Sequence, residues 1–89
     1  MRNTLEQIKN LNIKRHVVTE EQIKEITRLL NLENMSKAEL NETRNNVVRG
    51  FAELEDMQET FEEEMKYYLA MSGTTAVIDH MLFQKGWLY

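Results

Sequence analysis

The chain has 89 residues with no cysteine and no proline, and its formal net charge is −4, from 15 acidic and 11 basic residues. A chain without cysteine has neither a disulfide framework nor a thiolate metal site, and net negative charge argues against general affinity for nucleic-acid phosphates. There is no run of the ~20 apolar residues that span a bilayer and no recognisable signal peptide, so we expect one cytoplasmic domain without a membrane partner.

The first third of the chain predicts two helices. Apolar residues spaced by three within 5–11 indicate a short N-terminal helix, followed by an irregular link over 13–18. Thr19 and Gln22 match the capping-box pattern, in which a hydroxyl and the side chain three residues along satisfy each other's backbone N–H groups. The apolar periodicity that follows predicts a helix over 20–31.

A second capping box, Ser36 with Glu39, begins the longest predicted helix. Its apolar residues recur at separations of three, four and seven, the pattern of a buried stripe, and Gly73 is suited to end it. We therefore expect an all-α fold, a small helical bundle built around one long central helix over about 36–72. Shorter helices flank it, and the last of them runs to Gly86.

This central helix is too long for a compact chain of this size. At ~1.5 Å per residue it measures ~54 Å, whereas an 89-residue globule is ~30 Å across. Either it breaks at Gly50, where a missing side chain also admits a close neighbouring helix, or it projects and pairs with another chain. We expect the second outcome, a homodimer in which the stripe faces a partner helix. The predicted dimer seam consists of Leu40, Val47, Phe51, Leu54, Phe61, Met65 and Tyr68.

Negative charge is concentrated on the same segment. Residues 50–65 carry seven carboxylates and no cation. Projected on a helix, most of them lie opposite the apolar stripe, so this face is either solvated or a contact surface for a basic partner protein. The predicted contact residues of this acidic face are Glu55, Asp56, Glu59, Glu62 and Glu63.

The C-terminus ends in a short aromatic segment. Trp87 and Tyr89 belong to the residue types that are enriched at binding hot spots. An aromatic end of this kind either folds back onto the bundle or docks on a partner. Folding back is the simpler expectation, and partner binding is the alternative.

The segment 19–51 has the outline of a helix-turn-helix, which raises DNA binding as a second possibility. Arginine and asparagine, the residue types that read base edges, fall on the exposed side of its second helix. The turn lacks glycine, however, and glutamates surround the segment with negative charge. The candidate DNA-contacting residues are Lys37, Asn41, Arg44, Asn45 and Arg49.

The sequence gives little support for catalysis. Neither histidine has a glutamate three residues before it, as helical di-iron sites require, and there is no glycine-rich phosphate loop. We expect no enzyme activity, no metal and no cofactor. The expected function is that of a protein-binding regulator or inhibitor acting through helical surfaces as a homodimer. A DNA-binding regulator and a structural assembly subunit are the alternatives.

Overall fold

The computed structural model describes residues 1–15 and 17–86 as a bundle of α-helices. The elements in chain order are α1 (Arg2–Lys9), α2 (Glu20–Leu30), a 3₁₀ turn (Leu32–Asn34), α3 (Lys37–Asp56) and α4 (Phe61–Gln84). The described residues form no strand, and a single isolated bridge joins Lys14 to Val17. The predicted all-α fold, a small helical bundle, is confirmed. None of the described helices is long and apolar enough to cross a membrane.

Both predicted capping boxes form. The Thr19 hydroxyl accepts a hydrogen bond from the backbone N–H of Gln22 at 3.1 Å, and the Gln22 side chain accepts one from the Thr19 N–H at 3.0 Å. Ser36 and Glu39 make the same reciprocal pair. The predicted starts of α2 and α3 are therefore confirmed.

The expected continuous helix over 36–72 is wrong in its boundaries, because the chain reverses after Asp56 and α4 begins at Phe61. Thr60 caps α4 by accepting the backbone N–H of Glu63 at 3.2 Å. A continuous helix would also have stacked like charges three and four residues apart, which is unfavourable. Folding back gives a chain with a radius of gyration of 12.6 Å.

Gly50 and Gly73 are sites of close approach and not helix ends. A Cβ atom at Gly50 would lie 2.5 Å from Cδ1 of Leu5, so α1 packs directly on the backbone of α3. A Cβ atom at Gly73 would lie 2.9 Å from Cγ2 of Ile13, and α4 continues through this position. The prediction that Gly50 admits a close neighbouring helix is confirmed. α3 runs through Gly50, so the alternative of a break there does not apply, and the predicted helix end at Gly73 is wrong.

The helices form two layers. One layer is the antiparallel hairpin of α3 and α4, whose register is marked by the ion pair between Arg44 Nε and Asp79 Oδ1 at 2.7 Å. The other layer consists of α1, the link and α2, which cover one face of the hairpin. The core lies between the layers, and its buried apolar residues are Leu5, Ile8, Ile13, Ile26, Leu30, Leu32, Leu40, Val47, Phe51, Leu54, Tyr67, Ala70, Val77, Ile78 and Leu82.

Candidate protein-binding face

The hairpin face turned away from α1 and α2 is not covered by another described helix, and we call it the open face. Its positions recur every three or four residues along α3 and lie on one side of α4, and all are exposed or half-buried. At one end Arg44 meets Asp79, and at the other end Glu55 meets the first turns of α4. The open face consists of Lys37, Asn41, Arg44, Val48, Ala52 and Glu55 on α3, and of Phe61, Glu64, Met65, Tyr68 and Asp79 on α4.

Apolar side chains on the open face are unusually exposed. Phe61 is 73% exposed and Tyr68 is 48% exposed, with Met65 half-buried between them. The opposite side of α4 already carries core residues such as Ile78 and Leu82, so α4 is apolar on both sides. Apolar side chains on two opposite sides of a helix are typical of a helix that is buried on both of those sides. The outer side of α4 therefore has the composition of a contact surface.

The exposed apolar side chains lie beside unpaired carboxylates. Phe61, Met65 and Tyr68 line a shallow hollow of about 210 Å³ together with Glu55 and Glu64. Partial burial raises the pKa of Glu55, and the nearby charges of Glu64 and Asp56 raise it further. Among the described residues, no cation forms an ion pair with Glu55 or Glu64. This end of the open face would be stabilised by a cation from outside the chain.

The predicted acidic face is divided by the chain reversal. Glu55 and Asp56 end α3, Glu59 lies in the loop, and Glu62 and Glu63 begin α4. These carboxylates surround the tip of the hairpin and do not share one helix face, which corrects the prediction. The signal that would have shown the reversal is Thr60 followed by Glu63, the same hydroxyl-to-acid spacing that marks α3.

Glu63 in particular is not available as a free contact residue. Its carboxylate accepts a hydrogen bond from Lys66 Nζ at 3.1 Å and lies 3.9 Å from Lys9 Nζ. Lys9 comes from α1, so the basic N-terminal segment neutralises part of the acidic tip. Glu64, which was not among the predicted contact residues, faces the hollow instead.

The predicted dimer seam is also divided, because its first four residues lie in the core of the chain. Leu40, Val47 and Phe51 are fully buried and Leu54 is 4% exposed. The return of α4 along α3 covers them, so they cannot face a partner in this fold. The remaining seam residues, Phe61, Met65 and Tyr68, lie on the open face. The predicted aromatic contacts Trp87 and Tyr89 lie outside the described residues.

The candidate DNA-contacting residues lie along α3 but do not form one free basic surface. Lys37, Asn41 and Arg44 belong to the open face, whereas Asn45 and Arg49 lie farther round the helix and are exposed. The guanidinium group of Arg44 donates to both Asp79 oxygens, at 2.7 and 3.4 Å. Arg44 could contact a DNA base only if its ion pair with Asp79 broke. DNA binding stays a prediction.

Tyr67 on α4 contacts two side chains of α1 and so links α1 to the hairpin. Its hydroxyl donates to Glu6 Oε1 at 2.8 Å, and Lys9 Nζ lies 5.3 Å from its ring centroid. Burial, followed by the hydrogen bond to Glu6, raises the pKa of Tyr67 from 10.0 to about 12. Because the folded-state pKa exceeds the unfolded value, this contribution to stability is complete below pH 10 and is lost as the pH rises towards 12.

We therefore expect Tyr67→Phe to lower the free energy of unfolding by about 1 kcal/mol at neutral pH, through loss of a hydrogen bond to a carboxylate. The variant should also lose less stability than the unmodified chain between pH 10 and about 12. Urea unfolding at neutral and alkaline pH measures both effects. Tyr68→Phe, at an exposed tyrosine, is the control and should retain the full alkaline loss. If Tyr67→Phe lost as much stability as the unmodified chain at alkaline pH, the raised pKa would not belong to Tyr67.

No family model matches this chain, and neither a curated protein nor a solved structure matches it. Residues 1–15 and 17–86 contain no group of three or more histidine or carboxylate side chains that could hold a metal ion. The absence of enzyme activity, metal and cofactor stays a prediction from the sequence.

Proposed function

We propose that this chain is a non-enzymatic regulator that acts by binding another protein through the open face. The observation that carries the proposal is the exposure of Phe61, 73%, beside Met65 and Tyr68 on the side of α4 that the core does not use. Burying a phenylalanine side chain contributes about 1.5–3 kcal/mol. A contact with a second protein supplies that burial, whereas the fold of the single chain does not.

The partner should present an apolar surface with cations at its edge. Phe61, Met65 and Tyr68 form a stripe of three apolar side chains, and amphipathic helices dock into such stripes with apolar residues at the same three- and four-residue spacing. Glu55 and Glu64 border the stripe without a cation of their own. Lysine or arginine on the partner would pair with them, which adds specificity and speeds association.

A defined probe can test this surface before a natural target is known. The probe is a labelled helical peptide of about 14 residues with leucine on one face and lysine on the other, ~21 Å long. We expect Phe61→Ser to weaken its binding by a factor of 10 or more, as measured by fluorescence anisotropy, since about 1.4 kcal/mol corresponds to tenfold. Glu55→Gln should weaken binding less and reduce its dependence on salt.

The matched control is Ile23→Ser, which removes an apolar side chain that is 40% exposed on α2, in the other layer. It should leave peptide binding unchanged. If both variants bind the peptide as tightly as the unmodified chain, the peptide is held by general negative charge and the proposal fails. Equal weakening by both variants would show that the peptide binds apolar surface without preference for the open face, which also contradicts the proposal. Photocrosslinking from position 68, with position 24 on α2 as its control, then identifies the natural target.

A further inference from the structure

The charges along α3 oppose the dipole of that helix. The first turn of a helix favours negative charge and the last turn favours positive charge. α2 follows this rule, with Glu20 and Glu21 at its start and Arg28 in its last turn. α3 begins with Lys37 and ends with Glu55 and Asp56, and has no basic residue in its last turn. Its one acidic residue in the first turn, Glu39, closes the capping box. Local rules of this kind are most often broken at functional sites.

The same charges give the open face two unlike ends. Lys37 is exposed at one end, where the charge of Arg44 is balanced by Asp79. Glu55 and Glu64 lie at the other end, beside the hairpin tip. A surface whose ends carry opposite charge is complementary to a copy of itself turned end for end. If the two-fold axis lies in the interface and perpendicular to the helices of the hairpin, the positive end of each copy lies over the negative end of the other. If the axis lay parallel to these helices, the acidic tips of the two copies would meet.

The middle of the open face suits close packing. Val48 and Ala52 are exposed and have short side chains, so two copies could approach closely there, with Phe61, Met65 and Tyr68 covered on both sides of the centre. The chain is 39 Å long and 22 to 23 Å wide. A stable dimer of standard size would need to bury ~800 Å² on each copy.

We propose that two copies of this chain pack open face to open face, with their hairpins antiparallel, to form a four-helix bundle of two α3 and two α4 helices. In this arrangement α3 of one copy lies along α3 of the other, and Lys37 of each copy lies beside Glu55 of the other. The apolar side chains of the open face supply the affinity, and the charged ends set the orientation. This inference rests on the proposed function, because it names a second copy as an occupant of the same surface.

A charge-exchange experiment tests the orientation. Within one chain, positions 37 and 55 are ~27 Å apart along α3, too far for their side chains to interact. We expect the unmodified chain to sediment at about twice its mass of 10.6 kDa at micromolar concentration. Lys37→Glu and Glu55→Lys should each weaken the dimer about tenfold. The double variant should recover most of the loss, because each pair is restored between copies with its signs exchanged.

Two further variants complete the test. Lys24→Glu makes the same charge change on an exposed residue of α2 and should leave the dimer intact. Phe61→Ser should weaken the dimer by a factor of 10 or more while circular dichroism shows unchanged helicity, since this side chain is mostly exposed.

The possible results separate the two proposals. A monomer at high concentration, or a dimer that the double variant fails to recover, would overturn the antiparallel dimer. If the monomer still binds the cationic peptide through Phe61, the proposed function stands without self-association. If neither dimer nor peptide responds to Phe61→Ser, both proposals fail.

Discussion

Phe51→Ala should lower the free energy of unfolding by about 3–5 kcal/mol. Phe51 is the largest fully buried side chain of the described chain, and its ring lies 6.5 Å from the ring of Tyr67, centroid to centroid, at an interplanar angle of 51°. It therefore joins α3 to α4 at the centre of the core. A domain of this size is stable by about 5–13 kcal/mol in total, so the variant would lose a large part of that stability.

The expected loss distinguishes a core residue from a residue of a dimer seam. Because Phe51 is covered by its own chain, the loss caused by Phe51→Ala should be the same at low and high protein concentration, and urea unfolding at two concentrations measures it. Asn45→Ala is the control on the same helix, at an exposed residue outside the open face, and should cost less than about 1 kcal/mol. A loss that disappears at low concentration would place Phe51 in an interface and contradict the described hairpin.

Gly73→Leu should destabilise the chain by about 1–3 kcal/mol or more through overpacking. A Cβ atom at this position already lies 2.9 and 3.0 Å from the methyl groups of Ile13 and 3.3 Å from Cγ2 of Val18. The three further carbons of leucine have no space unless the link moves away from α4. Because leucine is the better helix former, the same change would stabilise an uncovered helix by about 0.5–1 kcal/mol.

Thermal unfolding followed by circular dichroism measures this effect, and Ala76→Leu is its control. Ala76 is exposed on the same helix, so leucine there should leave the melting temperature nearly unchanged. If Gly73→Leu is tolerated as well as Ala76→Leu, the link does not pack on α4 at Gly73.

The local features of this chain could be predicted from the sequence because each depends on residues close together in the chain. The starts of α2 and α3 follow from capping boxes that span three residues, and both form as expected. The helical class follows from apolar periodicity and from the absence of proline. The sequence also shows the cluster of carboxylates within residues 50–65. It does not show that they surround the tip of the α3–α4 hairpin.

The tertiary structure decided where the long apolar stripe is buried and which part of it stays open. An apolar stripe has the same spacing whether its own chain or another chain covers it, so the sequence did not separate Phe51 in the core from Phe61 on the open face. The roles of the glycines were equally nonlocal, because only the approach of Leu5 to Gly50 and of Ile13 to Gly73 shows that they make room for neighbours. Such contacts join residues far apart in the chain, and their free energy outweighs local preferences.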